Sequence, residues 1–413
     1  MSTTSTKVTL PSDADISGRS FGEEEIAILK RVIASGTLNC TKGTTVKEFE
    51  ERFAASIGIP HCRCATSGTA AIHAAVAAID PEPGDEIITT PITDMGAITP
   101  ILYQTAIPVF ADVDPLTYNL TAATIARKIT RRTRAVMVTH LFGNPCDMDP
   151  IVALCKEKGI RLIEDCAQAF CATYKGKPVG TIGDIGCFSL QQTKHITAGE
   201  GGMVVTRDET LWRRARLFID KAWGYGDAKP DHYFLALNYR MTELAGAVAL
   251  AQLDKLPAMV RHRVAMAGSL SRQISGIRGV QPPQINAGAS PVYWKYPLRI
   301  DTGIIRGGAD AFGARLKEAG IFSAPRYIQK LAFECEVLRD QRTFGASRFP
   351  FVGEHRKGDA PVTYDLRDTP GAVEALAGVV VLPWNERYTQ DHVDAIARAI
   401  GDTAGALGGG SAA

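Results

Sequence analysis

The sequence predicts an α/β fold: a large unit built on a mostly parallel mixed sheet, followed by a smaller α+β unit. Three observations carry this expectation. Short apolar runs alternate with helix-like segments between residues 62 and 206, the pattern of strands joined by crossover helices. One such run, 161–164, leads into Asp165, and ligands of open α/β sheets gather just past the carboxyl ends of strands. Beyond Pro257 the alternation gives way to scattered short strands and helices.

In chain order, residues 22–33 space Ile26, Leu29, Val32 and Ile33 along one helical face, and 45–57 do the same with Phe49, Phe53, Ala54 and Ile57. Residues 62–66 read as a strand that breaks at Ser67-Gly68-Thr69 and opens an Ala-rich helix to Ala78. Such a break presents free backbone N–H groups and a hydroxyl to an anion, and it equally describes an ordinary capped helix start. Strands are expected near 86–90 and 107–113, with a connection carrying Asp94 between them. Residues 133–140 form another buried strand ending at His140, a lone histidine without metal-type partner spacing, for which a structural role is expected.

A helix over 149–158 leads into the Asp165 strand. After Gly202 come a strand over 203–206 and a helix over 209–218, whose Arg213, Arg214 and Arg216 read as a solvated face. Residues 244–256 form a long apolar helix, and a second helix is expected from Met259 to Ile274 beyond Pro257. The small unit then offers a strand over 292–300, a helix over 308–319, and a last strand and helix near 379–383 and 390–400. Loop residues 322–335, with Tyr327, and residues 384–387 are expected to reach substrate, because loops on a rigid scaffold carry binding. The expected division is a flexible tail at 1–20, a large domain at 21–256, a small domain at 257–405 and a flexible tail at 406–413.

The chemistry is concentrated in 162–203. Lys194 follows a strand-like Phe188-Ser189-Leu190 and precedes Gly199-Glu200-Gly201-Gly202, where absent side chains let backbone approach a ligand. A lysine in a partly desolvated site becomes less basic and can attack a carbonyl to form a Schiff base. Pyridoxal phosphate chemistry needs such a lysine together with a carboxylate on the pyridinium nitrogen. Asp165 and Lys194 supply both on successive strand ends, although Asp165 by itself also reads as a helix cap.

The pieces E-D-C-A-Q-A at 164–169, G-T-I-G-D-I-G-C-F-S at 180–189, and Lys194 before G-E-G-G at 199–202 resemble, in order, the core motif of the DegT/StrS-type sugar aminotransferases. That family is a branch of the aspartate-aminotransferase-like, fold type I enzymes. The resemblance implies pyridoxal 5'-phosphate held as an internal aldimine on Lys194, with Asp165 on the ring nitrogen and Gln168 against the ring or its phenolic oxygen. It places Ser67, Gly68, Thr69 and Ser189 around the phosphate. It also implies a homodimer with shared active sites, because Asn238-Tyr239-Arg240-Met241 matches a family motif whose Asn reaches the phosphate of the neighbouring subunit. Where many members carry an aromatic residue that stacks on the cofactor, this chain has Asp94, so Asp94 or Met95 is expected to cover that face for a substrate subgroup of its own.

The implied reaction is a ping-pong transfer of an amino group from glutamate or glutamine to a nucleotide-linked ketosugar or a keto-cyclitol, in amino-sugar biosynthesis. Two alternatives stand beside it: a sugar dehydratase, in which histidine replaces the Schiff-base lysine and for which the neighbouring His195 raises the question, and a non-catalytic regulator on the same fold.

The 413 residues carry a formal net charge of only +2, which points away from nucleic acid and anionic membranes as partners. The cysteines number 9, an odd count without C-x-x-C pairs, so reduced thiols are expected rather than disulfides or a zinc site. The opening residues lack an apolar signal core and no apolar run is long enough to span a bilayer, so a cytoplasmic enzyme is expected, with no metal. No G-x-G-x-x-G follows an early strand, which sets a dinucleotide enzyme aside.

Overall fold

The computed structural model describes residues 9–408. At its centre is a seven-stranded sheet. The strands are β1 (His61–Ala65), β2 (Glu86–Thr89), β3 (Ile107–Phe110), β4 (Thr133–Thr139), β5 (Arg161–Asp165), β6 (Ile185–Ser189) and β7 (Gly202–Thr206). They lie in the order β1-β7-β6-β5-β4-β2-β3, and β7 alone runs against the others.

The inner strands are apolar without polar alternation because both faces of the sheet are covered. One face carries Ile87, Met137, Ile163, Ile185 and Val204 and packs on the helices Gly68–Ile79 and Glu209–Ile219. The other carries Ile88, Val136, Leu162, Phe188 and Val205 under the remaining helices. On that second face Phe53, from the helix Thr45–Ile57, sits edge-on between Phe170 and Phe188 at centroid distances of 5.9 and 5.0 Å. Each such buried aromatic removes enough surface from water to contribute about 2–3 kcal/mol.

Register decides which side chains meet. Asp165 is paired with Thr139 on one side and Cys187 on the other, while Gly202 is paired with both Ala65 and Ser189. The ends of β1, β4, β5 and β6 and the start of β7 therefore share one edge of the sheet.

Glu164 explains why the two motif pieces belong together. Its buried carboxylate accepts the N–H groups of Gly180, Ile182 and Gly183 at 2.8, 2.8 and 2.6 Å, which folds the Gly-rich turn back onto β5. The Glu164 carboxylate also receives Nε2–H of His140 at 3.1 Å, and Nδ1 of His140 accepts the Cys146 N–H at 3.1 Å. His140, Glu164 and Cys166 lie within metal-binding distance of one another, but these hydrogen bonds already occupy the histidine and the carboxylate. His140 is structural, as its sequence setting implied.

The smaller unit is a four-stranded antiparallel sheet, Val280–Gln281, Lys295–Ile300, Val379–Pro383 and Ala324–Pro325 in that order, with Gly308–Glu318 and Gln390–Leu407 packed on it. Four expectations need correction here. Pro257 does not end a helix; it lies inside one continuous helix, Glu243–Ile274. An interior proline costs roughly 3 kcal/mol, but Leu253, Leu256, Met259 and Val260 are buried around it, and each buried apolar side chain contributes about 1.5–3 kcal/mol. Tertiary packing overrides the break.

The connection carrying Asp94 holds an unforeseen helix, Met95–Tyr103, which its Gly96 and Pro100 hide from a propensity reading. The expected N-terminal tail is not loose over residues 9–20, where Pro11, Asp13, Gly18 and Arg19 are buried; residues 1–8 lie outside the described residues. At the other end, residues 406 and 407 complete the last helix, and 409–413 lie outside the described residues.

Candidate active site

β1 ends at Ala65, and Ser67 then caps the helix Gly68–Ile79 by accepting the Ala70 N–H at 3.0 Å. The N–H groups of Gly68 and Thr69, in the first turn, have no partner within the helix, and the helix dipole favours an anion beside them. Ser189 closes this cup. A Cβ on Gly68 would lie 2.7 Å from Cβ and 2.9 Å from Oγ of Ser189, so the close approach of the hydroxyl requires glycine. Gly202 is needed for the same reason, since its Cβ would come 2.8 Å from the Gly68 nitrogen.

Across the same edge lie the two charged poles. Asp165 is buried at the end of β5, accepting the Ala167 N–H at 3.0 Å and the Thr139 hydroxyl at 3.3 Å. Burial raises its pKa, against the pull of the Ala167 N–H and of the Lys194 charge. Lys194 is partly buried on the loop after β6, and its Nζ stands 4.1 Å from the centre of the Trp294 ring. Desolvation lowers its pKa to about 8, outweighing the charges of Asp165 and Asp94, which raise it. At neutral pH roughly one amine in ten is then uncharged, against roughly one in three thousand for an ordinary lysine.

Gln168 is buried with Oε1 accepting the Phe142 N–H at 2.7 Å, and its amide reaches the Tyr327 hydroxyl. Tyr327 packs edge-on against Phe142 at 4.8 Å, so the 322–335 loop does touch the site. Asp94 is exposed and caps the helix Met95–Tyr103 through the Gly96 N–H at 2.7 Å; its charge reaches both Lys194 and Tyr327. Asn238 is exposed and bridges to Asp220, while the neighbouring Tyr239 carbonyl accepts the Thr66 N–H at 2.9 Å at the edge of the cup.

Some expected substrate residues are elsewhere. Trp384, Asn385 and Glu386 are buried behind the Lys194 loop and cannot form a lid. His195 is fully buried, its Nε2–H donating to the Val292 carbonyl at 3.2 Å, and it turns away from Lys194's surroundings toward Phe170. Sequence reasoning missed Arg19, Trp294, Lys295 and Asp13. Trp294 Nε1–H donates to the Thr193 carbonyl at 2.8 Å, and Lys295 pairs with Asp13 at 2.8 Å beside it. No local motif announces them, because they meet Lys194 only in the folded chain.

An amine of lowered basicity and a buried carboxylate, at the same edge of a mostly parallel sheet as a helix start with free N–H groups, are the groups that an aminotransferase of the α/β class needs. The chain belongs to the DegT/DnrJ/EryC1/StrS aminotransferase family, whose model matches residues 19–353. Among its relatives, GDP-perosamine synthase of Escherichia coli O157:H7 is 38% identical over 265 residues, covering 63% of this chain and 71% of that protein. A putative L-glutamine:3-amino-2,3-dideoxy-scyllo-inosose aminotransferase of Micromonospora echinospora is 37% identical over 265 residues, covering 63% of each chain. The crystal structure of an aminotransferase from Psychrobacter cryohalolentis superposes with a TM-score of 0.83 at 28% identity, over 94% of this chain and 98% of that one. The aspartate-aminotransferase-like, fold type I architecture expected from the sequence holds.

Proposed function

We propose that this protein is a pyridoxal 5'-phosphate-dependent aminotransferase that moves an amino group from glutamate or glutamine to a ketosugar or keto-cyclitol in amino-sugar biosynthesis. The observation that carries the reading is the Lys194 amine, held at a pKa of about 8 within reach of the Asp165 charge. The residues fit the cofactor: the glycine contacts of Gly68 and Gly202 leave room for a phosphate against free N–H groups and the Ser189 hydroxyl. When bound, the cofactor supplies an electron sink for the carbanion formed at the substrate carbon.

This chain's residues do the rest. Lys194 would hold the cofactor through its Nζ, and the same amine, less basic than an ordinary lysine, would take up and return the proton at the substrate carbon. Asp165 would hold a proton on the ring nitrogen, and Gln168 with Tyr327 would offer hydrogen bonds to the cofactor. Ser67, Gly68, Thr69 and Ser189 anchor the phosphate, while Asp94 stands at the face where the family's aromatic would stack. The acceptor reading draws on the relatives, one named for making a perosamine and one for moving an amino group from L-glutamine to an amino-inosose. The dehydratase alternative is disfavoured because His195 is committed to the Val292 carbonyl.

We infer further that the working unit is a homodimer in which Asn238 serves the neighbouring phosphate. Tyr225, Tyr233, Leu235 and Leu237, on the segment leading to Asn238, are exposed apolar side chains, and Leu235 is 94% exposed. A surface of that kind marks an interface. The 9 cysteines, all free, fit a cytoplasmic setting, and among the described residues no helix is long and apolar enough to cross a membrane. We propose a division into two units, with the change of core falling inside the helix Glu243–Ile274 rather than after residue 256.

The test is to load the protein with cofactor, reduce it with borohydride, and map the label. Attachment at Lys194 is expected, together with loss of at least ~1000-fold in turnover for Lys194→Ala. The pyridoxamine form, screened against ketosugars and ketocyclitols, then identifies the acceptor by return of the pyridoxal absorbance. A label on another lysine sinks the reading.

A further inference from the structure

The loop that carries Lys194 is gripped from behind by one buried guanidinium. Arg19 is fully buried, and its Nη2 donates to the carbonyl oxygens of both Gln192 and Lys194, the latter at 2.6 Å. The Thr193 carbonyl between them accepts Trp294 Nε1–H at 2.8 Å, so three successive carbonyls are held by donors from distant parts of the chain. Arg19 Nη1 lies 3.5 Å from Glu386 Oε1, and Glu386 Oε2 accepts from Arg263 at 2.9 Å. Arg263 in turn holds the Trp294 and Trp384 carbonyls, the former at 2.9 Å. All three charged side chains of this group are essentially removed from solvent.

Such a group is expensive as pure scaffolding. Burying two cations against one carboxylate is often no more stabilising than apolar packing, and breaking the group is strongly destabilising. Nε and Nη1 of Arg19, Nε of Arg263 and Oε1 of Glu386 also lack hydrogen-bond partners. What the arrangement does deliver is a fixed path for the backbone at Lys194 and a fixed charge beside it.

We propose that Arg19 and Glu386 form a pair of positioning residues for the Lys194 amine, Arg19 by fixing the loop carbonyls and adding positive charge, Glu386 by orienting Arg19 and offsetting that charge. The inference rests on the reading of Lys194 as the cofactor-bearing amine. The other groups acting on the Lys194 amine are Asp165 at the end of β5, Asp94 at the cap of its helix, Asp13 on the N-terminal segment, Lys295 at the start of the small-sheet strand and the Trp294 ring just before it, while His195, next to it in the chain, turns away toward Phe170. None of these is altered in the test. A cation near an amine disfavours its protonated form and a carboxylate favours it, so the two residues act on Lys194 with opposite sign.

The experiment measures, on cofactor-loaded protein, the pH at which the cofactor absorbance titrates, with melting temperature and steady-state rates alongside. Arg19→Gln is expected to raise that midpoint and Glu386→Gln to lower it, each by roughly half to one pH unit. Both variants lose stability, so a purely structural role would move the two midpoints together or not at all, and either result overturns the proposal. Arg19→Lys retains the charge and loses the fork: an unchanged midpoint with kcat down roughly tenfold and donor KM within about twofold is expected. Parental kcat in Arg19→Lys overturns the proposal even if the glutamine variants do not fold. Borohydride labelling of the parent at a residue other than Lys194 would instead overturn the reading of the site itself.

Discussion

Lys194 gives up basicity to sit where it does, and that has a measurable consequence for the unliganded protein. Its pKa is lowered from 10.5 to about 8, first by burial. Between those values the unfolded chain binds a proton that the folded chain does not, so stability rises with pH across that window and is lowest below pH 8. Lys194→Met removes the term: its cofactor-free melting temperature is expected to exceed the parent's at pH 7, with the difference narrowing toward pH 10.5. A constant difference across that range would show that the amine is not desolvated. Asp165 and Lys194 were legible as residues because each lies in a compact motif whose chemistry needs a carboxylate and an amine. Arg19 and Trp294 were not, since the contacts that matter span 175 and 101 residues of sequence.

At the scale of elements, the strand–turn–helix at β1 and the meeting of β6 with β7 show how backbone spacing brings Gly68, Ser189 and Gly202 together. Gly68 begins a helix, where alanine is intrinsically better by about 1 kcal/mol, yet its Cβ would press on Ser189. Gly68→Ala is therefore expected to leave the cofactor-free melting temperature within a few degrees while raising the cofactor Kd at least ~tenfold, read by absorbance titration. Equal affinity in the two proteins would remove Ser189 from the cup. Most strands and helices followed from apolar periodicity, and Thr45–Ile57 agrees with its expected limits. Two failures share one cause: Met95–Tyr103 and the run through Pro257 are helices that local propensity argues against and burial of Ile98, Ile101, Leu253 and Leu256 enforces.

For the whole molecule, the exposed apolar segment before Asn238 predicts that assembly and cofactor retention are linked. In the proposed dimer, Leu235→Asp places a charge in that surface, and sedimentation is expected to show a shift toward single chains, with cofactor lost in parallel if the neighbour's Asn238 serves the phosphate. A variant that stays dimeric, or a monomer that retains cofactor as tightly as the parent, would break the link. The small antiparallel sheet after the large one was legible from the change of pattern beyond Pro257. The tie between them was not, because the residues that make it, Pro11, Asp13 and Arg19, lie in an N-terminal stretch with no periodicity to read.

The unbroken helix Glu243–Ile274 is a rod of 32 residues, about 48 Å at the usual rise per residue, that lends Leu250 and Leu253 to one core and Leu270 and Ile274 to the other. A beam fixed at both ends resists bending where a hinge would otherwise be sought. Shifting one core against the other would have to flex this rod, so the Trp294 ring over the Lys194 amine and the sheet edge that carries Asp165 are carried on one rigid frame.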